Sequence, residues 1–256
     1  MKIDILTLFP DMFRGPLEAS ILKRARVKKI VNIRIFDIRR FSKGRHYLAD
    51  DYSYGGGSGM IMKPEPIFEA VRAASKKPIS WVKKKGRKSP WIILLTPQGA
   101  RFNQKKAKAL SKKKHLIFIC GRYKGVDERI RRYLVNEEIS IGDYVLSGGE
   151  AAAWVIIESI ARLVPGVVGD KESVLTDSFY QNDIFDYPHY TRPFNYLGWK
   201  VPEILISGNH QKIQLWRRKK ALEKTFHQRP DLFDKLNLSE KGKRLIKKTE
   251  IKGEKL

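Results

Sequence analysis

The chain has 256 residues, 42% of them hydrophobic, and sets 52 Lys and Arg against 27 Asp and Glu for a formal net charge of +25. The apolar content, with 5 Trp, 10 Tyr and 12 Phe, excludes a disordered basic tail, and the positive excess points to a polyanionic partner such as nucleic acid. Cys120 is the single cysteine and no apolar run reaches the roughly 20 residues of a membrane span, so disulfide scaffolds and transmembrane helices are excluded and a cytoplasmic location is expected.

The first two-thirds of the chain alternates between strand and helix periods. Residues 3–8 (IDILTL) read as a first strand and not as a secretory signal. Asp11 is placed to cap a helix carrying Phe13, Leu17 and Ile21, and Val31, Ile33 and Ile35 alternate as a second strand. The polar stretch from Phe41 to Gly59 is longer than an ordinary connection, which suggests a functional loop. Pro64 and Pro66 open a helix whose apolar side is Ile67, Phe68, Ala70, Val71 and Ala74. The runs 91–95 (WIILL) and 116–120 (LIFIC) suit strands covered on both faces, with a lysine-rich helix over 102–114 between them. An apolar helix is expected near 149–164. Together these make an α/β domain with a mostly parallel sheet.

After residue 165 the strand signals stop. Residues 177–200 are aromatic and irregular, and a helix over 210–227 is expected to bury Ile213, Trp216 and Phe226 and to crowd Arg217, Arg218, Lys219 and Lys220. The organisation expected is a first domain over 1–168, a linker over 169–176, a smaller helical domain over 177–238, and a flexible Lys-rich tail over 239–256 with almost no core residues.

Charge and glycine mark the functional surfaces. Segments 76–90 and 101–114 each carry seven Lys or Arg and no acid, as phosphate-binding surfaces do. Three glycine-containing loops follow strands or lead into a helix: Thr96-Pro97-Gln98-Gly99, Gly121-Arg122-Tyr123-Lys124-Gly125, and the stretch from Ile141 to Glu150. In an open α/β sheet such loops lie at the carboxyl ends of strands, where ligands bind. No Gly-x-Gly-x-x-Gly follows a strand and no phosphate-loop motif exists, so a dinucleotide fold is disfavoured. The segment Tyr54-Gly55-Gly56-Gly57-Ser58-Gly59 reads as a lid or close-approach loop. The histidines have no metal-ligand spacing.

Taken in order, LTLFPDMF, DDYSYGGGSGM, TPQG, GRYKGVDER, SIGDYVLSGGE, PGVVG, TDSF, PHYTRP and SGNH resemble the bacterial tRNA (guanine-N1)-methyltransferases of the TrmD type, within the SPOUT superfamily. The resemblance covers residues 1–238. It implies a deep trefoil knot in the first domain, a homodimer, S-adenosylmethionine as methyl donor, and methylation of N1 of guanosine 37 in tRNA when nucleotide 36 is also guanosine. It implies cofactor contacts from Leu94 and Pro97, from Gly121 and Tyr123, and from Ser140, Ile141, Gly142, Asp143, Tyr144, Val145, Leu146, Gly148 and Gly149.

The resemblance further implies Asp177 as the general base and Arg162 as the group that balances charge on O6 of guanine. By itself, Asp177 would read as a helix N-cap and Arg162 as a helix-end charge. A divalent metal ion is open to the family, but the sequence nominates no ligand. His189, Tyr190, Arg192, Asn209 and His210 read as RNA or interface contacts. Two departures stand out: Lys124 occupies a position where the family usually has an acid, and Tyr52-Ser53 replaces Arg-Pro. A basic RNA-binding protein without turnover, and a knotted enzyme acting on ribose or ribosomal RNA, remain as alternatives at this point.

Overall fold

The computed structural model describes residues 1–78, 89–169, 175–180, 183–239 and 246. The chain divides into two compact units, Met1–Gly169 and Asp170–Leu256.

The first unit is built on β1 (Lys2–Thr7), β2 (Asn32–Asp37), β5 (Trp91–Arg101), β6 (His115–Cys120) and β7 (Glu137–Ser140). They form one parallel sheet in the order β2-β1-β6-β5-β7. The expected α/β class with a parallel sheet is thus found. The remaining strands, β3 (Asp50–Tyr52) and β4 (Met60–Met62), make a separate antiparallel pair. The stretch 41–59 is therefore not a structureless loop; it contains β3 and most of a hairpin.

Period-two alternation in the central strands sorts their side chains between two cores. Ile93, Leu95, Leu116, Phe118 and Cys120 face one core, with Leu22 and Ala25 of α1 (Ser20–Val27), Leu110 of α3 (Gln104–Ser111), and Ile156, Ile157 and Ile160 of α5 (Glu150–Ala161). Ile92, Leu94, Ile117 and Ile119 face the other, with Ile67, Ala70, Val71 and Ala74 of α2 (Pro64–Ser75) and Ile130 of α4 (Glu128–Tyr133). Each such Ile or Leu contributes about 1.5–3 kcal/mol by leaving water. Helices on both faces are why these strands read as unbroken apolar runs.

Two local expectations need correction. Asp11 caps no long helix: Pro10–Phe13 is a 3-10 turn, Arg14–Leu17 a single helical turn, and α1 starts only at Ser20. Extended Ala19 (ψ 157°) breaks the run, and Phe13 and Leu17 are buried while Ile21 is only half-buried. Gly15 and Pro16 within that stretch are poor helix formers, which favours the break. Likewise β5 does not end at Leu95. It pairs with β7 up to Leu95↔Ile139 and resumes at Ala100↔Ile139, so 96–99 bulges out of a longer strand. Gly99 is needed there because a Cβ would lie 2.4 Å from Ile139 N.

The lysine-rich helix is shorter than expected, with Asn103 as its cap: Asn103 Oδ1 accepts from Lys106 N at 2.9 Å. The basic cluster 83–88 and the linker residues 170–174 lie outside the described residues.

The second unit is organised by α6 (His210–Gln228), capped by Asn209, whose Oδ1 accepts from Lys212 N at 3.1 Å. Ile213, Ala221, Leu222 and Thr225 are buried on it, whereas Trp216 and Phe226 are half-buried. Phe226 packs against Leu222, Phe233 and Ile246. Ile246 is buried; apart from Ser239 and Ile246, the tail over 239–256 lies outside the described residues. A further correction is a two-residue antiparallel pair, Asn195–Tyr196 with Trp199–Lys200, where no strand was expected. Among the described residues no helix is long and apolar enough to cross a membrane.

Candidate functional site

The carboxyl ends of β5, β6 and β7 converge on a cleft of about 360 Å³ in the first unit. All three glycine-containing loops reach it: Leu94 to Gln98 from the β5 bulge, Gly121 to Val126 after β6, and Ile139 to Gly149 from β7 to the start of α5. Of the residues expected to hold the cofactor, Leu94, Pro97, Gly121, Tyr123, Ser140, Ile141, Gly142, Tyr144, Val145, Leu146, Gly148 and Gly149 line this cleft. Asp143 is the exception. It does not line the cleft, and its exposed carboxylate pairs with Arg101.

Local bonding fixes the loops. Gly149 N donates to Gly121 O at 2.9 Å, and Arg122 and Gly148 form an antiparallel bridge, so the loops after β6 and before α5 run against each other. A Cβ on Gly149 would approach Cys120 Cα to 2.8 Å and Gly121 N to 3.2 Å, a backbone approach that only glycine permits. Ser140 Oγ donates to Gly142 O at 2.9 Å and accepts from Gly142 N at 3.2 Å, tightening the turn after β7. Arg131 of α4 contacts Glu138 at 2.7 Å and Thr96 Oγ1 at 3.4 Å, bracing the β5 bulge against β7.

Sequence reasoning missed the polar group beneath the cleft. Thr7 Oγ1 donates to Glu150 Oε1 at 2.7 Å, and Glu150 Oε2 lies 3.3 Å from Arg122 Nε, an ion-pair contact without a hydrogen bond between those two atoms. The guanidinium of Arg122 also stacks over Phe9, 4.1 Å from the ring centre. Nothing in the local sequence signals this set, because its members come from distant parts of the chain. Cys120, the last residue of β6, is buried: burial pushes its thiol well up, and the nearby Glu150 charge adds to that, as suits an inert core cysteine.

Lys124 lies on the cleft wall, and among the described residues it has no carboxylate partner. Its backbone N donates to Met60 O at 3.1 Å and its aliphatic stem lies against Gly59. The loop after β6 is thereby joined to the β3–β4 hairpin. In the neighbouring GVDER segment, Asp127 caps α4, its side chain accepting from Arg129 N at 2.9 Å. The Arg129 guanidinium beside it holds the Asp127 carboxyl below the usual range, against a smaller opposing effect of burial.

The two expected catalytic residues stand outside the cleft lining. Arg162 is exposed and follows α5, with its backbone N donating to Glu158 O at 3.2 Å. Asp177 belongs to the second unit and is half-buried. It follows helical Leu175 and Thr176, and its carbonyl accepts from Tyr180 N at 3.1 Å, so it is not the N-cap that its local sequence suggests. Among the described residues no group of three or more His, Cys, Asp or Glu side chains is placed to hold a metal ion.

Comparison with known proteins gives this geometry a context. The family model described as tRNA (Guanine-1)-methyltransferase TrmD matches residues 1–235. A protein of Dictyoglomus turgidum named tRNA (guanine-N(1)-)-methyltransferase is 52% identical over 254 residues, covering 99% of this chain and 98% of its own length. Proteins of the same name from Anoxybacillus flavithermus and Carboxydothermus hydrogenoformans are 52% and 54% identical over 246 residues, 96% of this chain and 97% and 92% of theirs. The chain belongs to the TrmD family of tRNA (guanine-1)-methyltransferases.

Proposed function

We propose that this protein transfers a methyl group from S-adenosylmethionine to N1 of guanosine 37 in tRNAs whose nucleotide 36 is also guanosine. One observation carries the reading: three strand-end loops from different parts of a TrmD-family chain line a single cleft. Relatives named tRNA (guanine-N(1)-)-methyltransferase, alike over nearly their whole length, support the choice of base and atom.

The cleft fits the cofactor. Its volume lies in the range of small-molecule sites. Gly149 keeps its floor open, and the backbone of the 121–125 and 140–149 loops offers N–H and C=O groups to a flat heterocycle. Leu94, Pro97, Ile141 and Leu146 supply apolar wall for its rings. When bound, S-adenosylmethionine supplies an electrophilic methyl carbon on a sulfonium.

The remaining work falls to side chains. N1 of guanine carries a proton and has no free lone pair, so a base must take that proton as the nitrogen attacks. Asp177 fills this role, and the charge developing on O6 is met by the Arg162 guanidinium.

The same reading makes the enzyme a homodimer in which the cleft of one subunit works with Asp177 of the other. Exposed Val145, Leu146 and Val155 on the first unit support a surface that a second copy covers. The reading also includes the trefoil knot, supported by the close passage of the loop before α5 along the loop after β6. Nucleoside analysis of treated tRNA tests the reading. The expected product is 1-methylguanosine; a different methylnucleoside would overturn it.

A further inference from the structure

Among the described residues, Arg122, Lys124 and Arg131 are the cations that line the first-unit cleft. Two of them are neutralised in place. Arg122 Nε lies 3.3 Å from Glu150 Oε2 and the Arg131 guanidinium 2.7 Å from the Glu138 carboxylate, and both arginines are half-buried. Lys124 differs: it is exposed and, among the described residues, has no carboxylate partner. Its charge is open to an anion that arrives with a ligand.

The backbone around Lys124 is held in register. One edge of β4 pairs with β3. Along its other edge, Lys124 N donates to Met60 O at 3.1 Å, Met62 N to Gly125 O at 3.0 Å and Asp127 N to Met62 O at 3.0 Å. From this ladder the Lys124 side chain runs over Gly59, where φ is 96°. A Cβ on Gly59 would lie 2.8 Å from Lys124 Cγ and 3.4 Å from its Cε, so the ammonium, one bond further on, stands beside the tip of the β3–β4 hairpin. The hairpin supplies no positive charge of its own: from Asp50 to Met62 the chain has two aspartates and no Lys or Arg.

We propose that the Lys124 ammonium holds an RNA phosphate next to the guanosine that enters the cleft, and so positions the RNA at the hairpin edge. To bring N1 of guanine to a methyl donor in the cleft, the RNA must carry its backbone to the rim with the base. An exposed ammonium on a flexible stem meets a phosphate there as a point charge, fixing register without reading sequence. The donor's own carboxylate is the competing anion; placement beside the hairpin tip favours the phosphate. The inference rests on the proposed methyl transfer to tRNA and adds a substrate contact to the cofactor cleft.

The test uses the full-length protein and an unmodified tRNA with guanosine at positions 36 and 37. Lys124→Met keeps the aliphatic stem over Gly59 and removes the charge, whereas Lys124→Arg keeps the charge. Lys124→Met should weaken tRNA binding about three- to fivefold at about 0.1 M salt and lower the slope of log affinity against log salt by about one. Lys124→Arg should restore both. On a second tRNA, with uncharged methylphosphonates at the two linkages flanking nucleotide 37, the difference between wild type and Lys124→Met should vanish. S-adenosylmethionine binding by Lys124→Met, measured by calorimetry, should be no weaker than that of the wild type. Wild-type tRNA affinity and salt slope in Lys124→Met would overturn the proposal, as would a difference that persists on the methylphosphonate RNA. So would weaker cofactor binding with tRNA affinity unchanged, which would give the ammonium to the donor's carboxylate. Methyl transfer by the wild type tests the enzymatic reading separately: RNA held through Lys124 without turnover would sink the reaction and keep the phosphate contact.

Discussion

The hydroxyl of Thr7, the last residue of β1, donates a 2.7 Å hydrogen bond to the Glu150 carboxylate in the first turn of α5, across 143 residues of sequence. Both residues are buried, and the other carboxylate oxygen contacts Arg122 in the loop after β6. One buried acid therefore ties three chain segments together beneath the cleft. A charge in such a place persists only with partners.

Glu150→Ala should leave the Thr7 hydroxyl without its acceptor and the Arg122 guanidinium without its counter-charge. The expected cost is about 3 kcal/mol of folding stability, read as a lower urea midpoint. Glu150→Gln keeps an acceptor for Thr7 and should fall between the two. An unchanged midpoint in Glu150→Ala would show that the contact does not support the fold.

Within β1, Asp4 is wholly buried, with Arg34 at 2.8 Å, His115 at 2.7 Å and Lys2 at 3.4 Å. Burial opposes its ionisation, but hydrogen bonds from His115 and Arg34 and the nearby positive charges outweigh that and hold the carboxyl below its usual value. A depressed folded value means that Asp4 stabilises the protein above its unfolded pKa of about 3.9 and loses that contribution as pH falls through the folded value. Urea unfolding should then show Asp4→Asn less stable than wild type by about 3 kcal/mol at neutral pH. The gap should narrow below about pH 4. A gap that stayed constant down to the acid limit would contradict the assignment.

Lys124 lies on the cleft wall, at a position where the resemblance noted in the sequence implies an acid. A carboxylate can meet the amino group of the cofactor's methionine part and an ammonium cannot. Lys124→Glu should therefore tighten S-adenosylmethionine binding about two- to fivefold, the scale of an exposed ion pair. Calorimetry on both proteins decides it, and weaker binding by the variant would mean that Lys124 itself holds the cofactor.

Much of this architecture was legible in the chain. The runs 91–95 and 116–120 read as doubly covered strands because side chains on both faces are buried, and glycines after their ends mark the cleft loops. What stayed hidden depends on contacts between distant segments. The Thr7–Glu150–Arg122 set has no local signature, since each residue alone is an ordinary polar group. The bulge at 96–99 arises from pairing with β7, which periodicity within β5 cannot report. The break after Leu17 was masked by apolar residues at helical spacing on both sides of it. Asp143 sits in a motif whose neighbours line the cleft, yet its own side chain pairs with Arg101 instead.

The central claim is the proposed methyl transfer to N1 of guanosine 37, with Asp177 as its base. Labelled-methyl transfer from S-adenosylmethionine to an unmodified tRNA with guanosine at positions 36 and 37 tests it, beside a matched transcript with adenosine at 37. The account predicts incorporation into the first transcript alone, a reverse-transcription stop at nucleotide 37, and a loss of about 10²- to 10⁴-fold in Asp177→Asn. Tight tRNA binding with no transfer at saturating cofactor, or full activity in Asp177→Asn, would contradict it.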